Sequence, residues 1–438
     1  MRFITAALTA SVTIMAGVHA AEAQVEIQWW HAMTGPNGER IVKLANDFNA
    51  SQSEYKIVPT FKGSYPDTMN AGIAAFRSGN PPDILQVFEV GTATMMGAKG
   101  AVKPVYQLMQ ETGEPFDSKS YLPAVTGYYS TAKGDMLSFP FNASTMVMWV
   151  NQDALKKAGI EKIPATWEDT WAAAQKLHDS GYTTCGISSA WITWFTIEEL
   201  SVWHNKPLAT KANGLDGFDT ELNFNKDPVV VEHLTNMVKY QKDKVFDYSG
   251  RLTDGEGRFT SGECPIFFDS SAFFGAVKAN AKFNYTSAPI PYYASVPGAP
   301  QNTIIGGASL WVLAGKPADH YKGIAKFLTY LSKPEVQAWW HQQTGYLPST
   351  MAAYDLSKSQ GFYQQFPAAE IAIKEMTNKA PTENSRGLRL GNLSQIRDIW
   401  AEEIEAALSG KKSVQQALDT AAERGNAVLR QFERTVAK

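Results

Sequence analysis

Residues 25–61 read VEIQWWHAMTGPNGERIVKLANDFNASQSEYKIVPTF, and this stretch indicates the fold class. Its first part, VEIQWWHAM, alternates enough to form a β-strand, which the Gly-Pro-Asn-Gly sequence at 35–38 should end. The next part, ERIVKLANDFNASQ, carries apolar residues at the spacing of an amphipathic helix, as at Ile41, Leu44 and Phe48. YKIVPTF then predicts a second strand, so the segment is a strand, a helix and a strand.

The following segment repeats this order. In MNAGIAAFRSGNPPDILQVFE, residues 69–89, a helix should end at Ser78-Gly79-Asn80, and a buried strand should follow over Ile84–Phe88. Alternating strands and helices predict an α/β fold with a mostly parallel sheet. Ligands of such folds bind at the loops that follow the strands, so a binding site is expected at those loops.

The composition is that of a globular protein, and the N-terminal residues predict that it is exported. The chain has 438 residues, of which 44% are hydrophobic, and a formal net charge of -3. This length predicts roughly two to three domains, and the near-neutral charge gives no electrostatic footprint for nucleic acid or an anionic membrane. Residues 1–23 predict a cleaved signal peptide, with Arg2, an apolar stretch and cleavage sites ending at Ala20 and Ala23. No later run approaches the ~20 apolar residues of a membrane span, so we expect a soluble, exported protein.

A glycine pair interrupts a strand in the second half of the chain. After a first change of pattern near Phe139, the Pro- and Gly-rich tract at 288–302 predicts a loop that crosses between domains. The next stretch, QNTIIGGASLWVLAG at 301–315, predicts a strand broken by Gly306-Gly307. Glycine inside a strand indicates a bulge, a bend or the close approach of another group to the backbone.

Motifs of common catalytic and metal sites are missing from the sequence. It contains no HExxH, GxSxG or GxxxxGK[ST] motif, and its seven histidines are scattered. We therefore predict a protein that is not an enzyme, with no catalytic residue, no bound metal and no cofactor. The two cysteines, Cys185 and Cys264, are compatible with a disulfide and with two buried thiols, and the sequence leaves both open.

Polar and aromatic residues recur where strands end or loops begin. Each of them has an ordinary structural interpretation as a cap, a turn or a packed loop residue. Together they are the ingredients of a site for a small anionic polyol, because a phosphate requires arginine, hydroxyls and backbone N–H groups, and a glycerol end requires a carboxylate and aromatic faces. The residues are Tyr65, Glu89, Ser144, Ser270, Tyr346 and Arg397.

Four stretches resemble one family over their whole length. FKGSYPDTMNAGIAAFRSGNPPDILQVFEVGTATMM, IIGGASLWV, HQQTGYLPST and GLRLGNLSQIR are similar to the periplasmic sn-glycerol-3-phosphate-binding proteins of Ugp ABC importers. The resemblance covers essentially the whole mature chain. More broadly, AKFLTYLSKPEVQAWWHQQTGYLP resembles the family 1 extracellular solute-binding proteins.

The resemblance implies a two-lobed α/β periplasmic binding protein with its ligand in the cleft. We expect an N-terminal lobe of residues 24–140 and 301–345, and a C-terminal lobe of residues 141–300 and 346–438. It further implies a monomer in the periplasm that passes glycerol 3-phosphate, and glycerophosphodiesters such as glycerophosphocholine, to the permease of an ABC importer. Family binding residues correspond by motif to Tyr65, Glu89, Ser144, Ser270, Gly307, Tyr346 and Arg397, and Trp191 and Trp194 are expected to form an aromatic wall.

Roles within this site follow as hypotheses. Gly307 would let its backbone N–H approach the phosphate, and Gly306 would permit the chain geometry that aims it. Arg397 would be the main phosphate partner through its planar fork, and Glu89 would accept from glycerol hydroxyls. Two other functions remain possible: a receptor of the same fold for a neutral sugar, and a secreted enzyme acting on a phosphodiester. The sequence does not rank the monoester against its diesters.

Overall fold

The computed structural model describes residues 24–131 and 133–436. The predicted signal peptide, residues 1–23, lies outside this range. Two β-sheets organise the described chain, one for each lobe. The strands are β1 (Val25–His31), β2 (Tyr55–Phe61), β3 (Ile84–Phe88), β4 (Phe139–Ser144), β5 (Met146–Asn151), β6 (Ile187–Ser189), β7 (Ile266–Ser270), β8 (Tyr285–Ala288) and β9 (Gly306–Val312).

Each sheet is mixed rather than mostly parallel as expected. The first has the order β2-β1-β3-β9-β4, in which β1 is parallel to β2 and β3, whereas β9 is antiparallel to β3 and β4. The second has the order β6-β7-β5-β8, in which only the β6–β7 pair is parallel. The reason is the long return of the chain, because β9 enters the first sheet from the other lobe and runs against its neighbours.

Helices cover the faces of both sheets. They are α1 (Gly35–Ser51), α2 (Tyr65–Arg77), α3 (Thr92–Gly97), α4 (Val105–Thr112), α5 (Pro123–Tyr129), α6 (Gln152–Lys157), α7 (Trp167–Asp179), α8 (Glu199–Trp203), α9 (Thr210–Asn213), α10 (Pro228–Lys242), α11 (Glu256–Thr260), α12 (Phe274–Asn280), α13 (Ala318–Leu331), α14 (Pro334–Thr344), α15 (Met351–Ser359), α16 (Phe362–Gln365), α17 (Ile371–Met376), α18 (Leu393–Leu408) and α19 (Val414–Val436). None of the described helices is long and apolar enough to cross a membrane.

The opening strand–helix–strand unit is confirmed, with one correction. The helix α1 buries Ile41, Leu44, Ala45 and Phe48, as its spacing predicts. It begins at Gly35, so the Gly-Pro-Asn-Gly sequence is the first turn of the helix and not a separate turn. Proline suits this position because the first N–H groups of a helix have no partner within the helix.

The first crossing between the sheets consists of one residue, Thr145. The strand β4 belongs to the first sheet up to Ser144, and β5 starts the second sheet at Met146. Residues 141–144, which we expected to open the second lobe, are therefore part of the first sheet. They remain there because β4 pairs with β9 up to the Ser144–Gly306 pair. The other expected lobe boundaries stay predictions.

A disulfide joins Cys185 to Cys264 in the second lobe. The two cysteines precede the parallel strands β6 and β7, and both are fully buried. Of the two states that the sequence leaves open, the structure therefore has the disulfide.

Candidate functional site

The residues proposed for ligand binding meet in one cavity of about 460 Å³ at strand ends of both sheets. The cavity wall also includes the start of α1, at 34–37, and the acids Glu256 and Asp269. That the proposed residues contact a ligand remains a prediction. All of them lie in the wall: Tyr65, Glu89, Ser144, Trp191, Trp194, Ser270, Gly307, Tyr346 and Arg397.

Tyr65 is fixed at the first position of α2. A capping box closes this helix end, because the Ser64 N–H donates to Asp67 Oδ2 at 2.9 Å and the Asp67 N–H donates to Ser64 Oγ at 3.4 Å. The Tyr65 ring stacks on Phe88, with the ring centroids 5.5 Å apart. The cap and the stacked ring together hold this side chain in the cavity wall.

A chain of hydrogen bonds orients the hydroxyl of Tyr65. Gln86 Nε2 donates to Asn142 Oδ1 at 2.9 Å, and Asn142 Nδ2 donates to Tyr65 Oη at 2.8 Å. The Tyr65 proton is therefore free to be donated, either to Tyr346 Oη at 3.4 Å or to a molecule in the cavity. Burial raises the pKa of both tyrosines, so both hydroxyls stay protonated.

Arg397 is held by two carboxylates. Its Nε and Nη2 donate to the two oxygens of Glu198 at 2.7 and 2.6 Å, and Nη2 also donates to Glu89 Oε1 at 2.9 Å. The fork that we expected to bind two phosphate oxygens is thus occupied by Glu198. Nη1 makes no hydrogen bond to any described residue, so its two N–H groups remain for a ligand.

Sequence reasoning misses Glu198, which is fully buried against this arginine. It closes the π-helical turn Trp194–Glu198, and that turn also carries Trp194 into the cavity wall. Such turns occur frequently at functional sites. One signal was available: Glu198 and Glu199 interrupt an apolar run, and buried carboxylates require a partner.

The two glycines of the interrupted strand, Gly306 and Gly307, are each required for a different structural reason. Gly307 has a φ of +88°, and a Cβ on it would collide with the carbonyl oxygen of Asn142. A Cβ on Gly306 would lie 2.7 Å from the Trp194 ring and 3.2 Å from Ser144 Oγ. Gly307 therefore meets a backbone requirement of the pairing with β4, and Gly306 makes room for Trp194. The roles expected for the two glycines at the phosphate stay predictions.

Two serine hydroxyls reach the cavity from different lobes. Ser144 ends β4, and its hydroxyl makes no hydrogen bond within the described residues. Ser270 ends β7, and its Oγ accepts from the Ala272 N–H at 3.1 Å, so that its own proton stays free. Both can therefore donate to a ligand.

Acids outnumber bases around the cavity. Burial raises the pKa of Glu89 to about 7, although the charge of Arg397 opposes the rise. The N-termini of α1 and α2 lie in the wall and contribute partial positive charge. Among the described residues, no group of three or more His, Cys, Asp or Glu side chains is arranged to hold a metal ion.

Comparisons with known proteins agree with this architecture. The family model for bacterial extracellular solute-binding protein matches residues 43–370. The sn-glycerol-3-phosphate-binding periplasmic protein UgpB of Rhizobium meliloti (strain 1021) is 49% identical over 425 residues, which are 96% of this chain and 98% of that protein.

Solved structures show the same fold. UgpB from Mycobacterium tuberculosis in complex with glycerophosphocholine has a TM-score of 0.78 at 18% identity, and the match covers 93% of this chain and 98% of that one. Maltose-bound MalE3 from T. maritima has a TM-score of 0.76 at 18% identity, with 92% and 99% covered. These likenesses establish the two-lobed fold and do not choose between the ligands. The chain belongs to the bacterial extracellular solute-binding protein family.

Proposed function

We propose that the protein is a periplasmic receptor that captures sn-glycerol 3-phosphate, and glycerophosphodiesters such as glycerophosphocholine, for an ABC importer. The observation that carries the proposal is the meeting of all the motif-assigned residues in one cavity. The relative from Rhizobium meliloti bears the name of a glycerol-3-phosphate-binding protein at 49% identity, which supports the same ligand.

The phosphate end is proposed to lie at Arg397. Its Nη1 is the edge of the guanidinium that the two glutamates leave free, and charge-assisted bonds to phosphate are stronger than neutral ones. The hydroxyls of Ser144 and Ser270 and the backbone N–H of Gly307 would add neutral donors. Partial positive charge from the N-termini of α1 and α2, which line the same cavity, supports an anion within it.

The glycerol end is proposed to use acceptors and aromatic faces. Glu89 accepts from Arg397 through Oε1, so its second oxygen can accept from a ligand hydroxyl. Tyr65 and Tyr346 can donate or accept, and Trp191 lies with its ring centroid 6.4 Å from that of Tyr65. A ligand bound in this way would contact both lobes and therefore favour the closed arrangement that a permease recognises.

The receptor role extends to location, partners and chemistry. We propose a monomer in the periplasm, whose partners are the ligand and the permease subunits. We also propose that the protein is not an enzyme, because no histidine lines the cavity beside the serine hydroxyls within the described residues. Release of free glycerol 3-phosphate from glycerophosphocholine by the pure protein would refute that part.

A neutral sugar is the second candidate ligand. The observation in its favour is the excess of acids at the cavity, with Glu89, Glu256 and Asp269 in the wall and Arg397 as the one arginine there among the described residues. Carboxylates and aromatic rings suit sugar hydroxyls and faces. The free Nη1 of Arg397 favours a phosphate ligand, because a neutral sugar does not require a cationic donor.

Calorimetric titration of the ligand-stripped mature protein tests the proposal. Glycerol 3-phosphate and glycerophosphocholine should each bind with one-to-one stoichiometry, and maltose should give no heat of binding. Binding of maltose without either phosphate ligand would replace the proposal with the sugar receptor.

A further inference from the structure

Two carboxylates of the second lobe line the cavity without a cationic partner. Glu256 is the first residue of α11, and Asp269 lies near the end of β7. Neither acid makes an ion pair with a described lysine, arginine or histidine. The roles proposed above for phosphate and glycerol leave this pair unused.

Of the two acids, Asp269 gives the stronger indication of a ligand. It is 1% exposed, and its Oδ1 accepts from the Ser270 N–H at 2.6 Å. Its Oδ2 is buried and has no hydrogen-bond partner in the described chain. An unpartnered buried carboxylate oxygen costs free energy, so its presence in a ligand cavity indicates that a ligand completes it.

The negative charge of each acid makes ionisation of the other less favourable. Burial raises the pKa of Glu256 to about 7, and burial together with the charge of Glu256 raises the pKa of Asp269 well above its ordinary value. Tyr346 also feels the charges of both acids, and its own hydroxyl is neutral. The pair therefore keeps a proton near neutral pH unless a cation takes the proton's place.

An indole ring lies next to this pair. Trp191 lies beside Asp269, where its indole offsets part of the rise in the pKa of that acid. Its backbone is anchored, because the Trp191 N–H donates to the Leu252 carbonyl at 2.7 Å. Tryptophan rings attract alkylammonium groups through their π-faces, and neighbouring carboxylates add charge of the opposite sign.

The cavity has room for a ligand larger than glycerol 3-phosphate. Its volume of about 460 Å³ lies within the range of roughly 300–1,000 Å³ that is typical of small-molecule sites. Glycerol 3-phosphate fills only part of this space, whereas glycerophosphocholine adds a trimethylammonium-ethyl group to the phosphate. The charge of that group is opposite to the charge of the unpartnered pair.

We propose that Glu256, Asp269 and Trp191 form the subsite for the alkylammonium head group of a glycerophosphodiester. This inference rests on the proposed function. On binding, the cation neutralises the charge that the pair's proton otherwise neutralises, and that proton passes to the buffer. The phosphate and glycerol remain at the other side chains of the cavity.

The first test uses the unaltered protein. Glycerophosphocholine is titrated calorimetrically near pH 6.5 in two buffers of different ionisation enthalpy, and glycerol 3-phosphate and glycerophosphoinositol are titrated in parallel. We expect release of a proton, up to one per molecule bound, with the choline diester and none from this pair with the uncharged inositol head group. Equal proton release for both diesters would overturn the inference.

The second test uses matched variants. Glu256→Gln should weaken glycerophosphocholine binding roughly tenfold and leave the affinity for glycerol 3-phosphate unchanged. Glu263→Gln is the control, because Glu263 follows in the same region, pairs with Arg258 at 2.7 Å and lies outside the cavity wall. Equal weakening of both ligands by Glu256→Gln would refute the subsite. Absence of glycerol 3-phosphate binding in the unaltered protein would instead refute the proposed function.

Discussion

Replacement of Arg397 by lysine tests whether phosphate binding depends on the shape of the guanidinium or only on its positive charge. Arg397 donates to two oxygens of Glu198 and one of Glu89, at 2.6 to 2.9 Å, and leaves Nη1 for the ligand. A lysine ammonium is a single point of charge and cannot bridge both glutamates while it also reaches a phosphate. Loss of one charge-assisted hydrogen bond amounts to about 1.5–3 kcal/mol, which corresponds to roughly a 10- to 150-fold rise in Kd.

The assay is calorimetric titration of Arg397→Lys with glycerol 3-phosphate, together with urea unfolding to confirm that the variant folds. Arg424→Lys is a matched control, because Arg424 also contacts two glutamates, Glu402 at 2.7 Å and Glu403 at 2.9 Å, but lies outside the cavity wall. The control should keep full affinity. Undiminished affinity in a folded Arg397→Lys protein would refute the assignment of the phosphate to Arg397.

Three further predictions concern stability. Gly307→Ala should cost at least about 2 kcal/mol more than Gly315→Ala, because both glycines have a positive φ but only the first lacks space for a Cβ; equal shifts in Tm would contradict this. Joint replacement of Cys185 and Cys264 by serine should cost about 4–5 kcal/mol of unfolding free energy, given their separation of 79 residues, and an unchanged urea midpoint would refute it. Burial raises the pKa of Glu199 to about 8, so the stability that its proton supports is present below pH 4.5 and is lost as the pH rises to 8. Between pH 6.5 and 8, the free energy of unfolding in urea should therefore fall less steeply with pH in Glu199→Gln than in the unaltered protein, by up to about 1.4 kcal/mol per pH unit. Identical slopes in the two proteins would count against this prediction.

Local patterns predict the helices and strands, because periodicity and capping act over short distances. The spacing in α1 identifies its buried face, and Thr166 caps α7 by accepting from the Asp169 N–H at 3.2 Å. The antiparallel placement of β9 is not predicted, since its neighbours in the sheet lie far away in the chain. The two-lobed fold itself is predicted through the family resemblance.

The site is predicted through motifs, and its chemistry is only partly predicted. The motif residues are those that line the cavity, but motifs do not reveal that Glu198 fills the fork of Arg397. The separate roles of Gly306 and Gly307 likewise depend on Trp194 and on the neighbouring strand. These contacts join residues that are distant in sequence, so no local pattern encodes them.

The structure of the protein with bound glycerol 3-phosphate tests the central claim most directly. We predict one molecule in the cavity, with a phosphate oxygen within hydrogen-bond distance of Arg397 Nη1 and of the Gly307 N–H, and with a glycerol hydroxyl on Glu89. A molecule bound outside the cavity, or bound in it with the phosphate away from Arg397, would contradict the account.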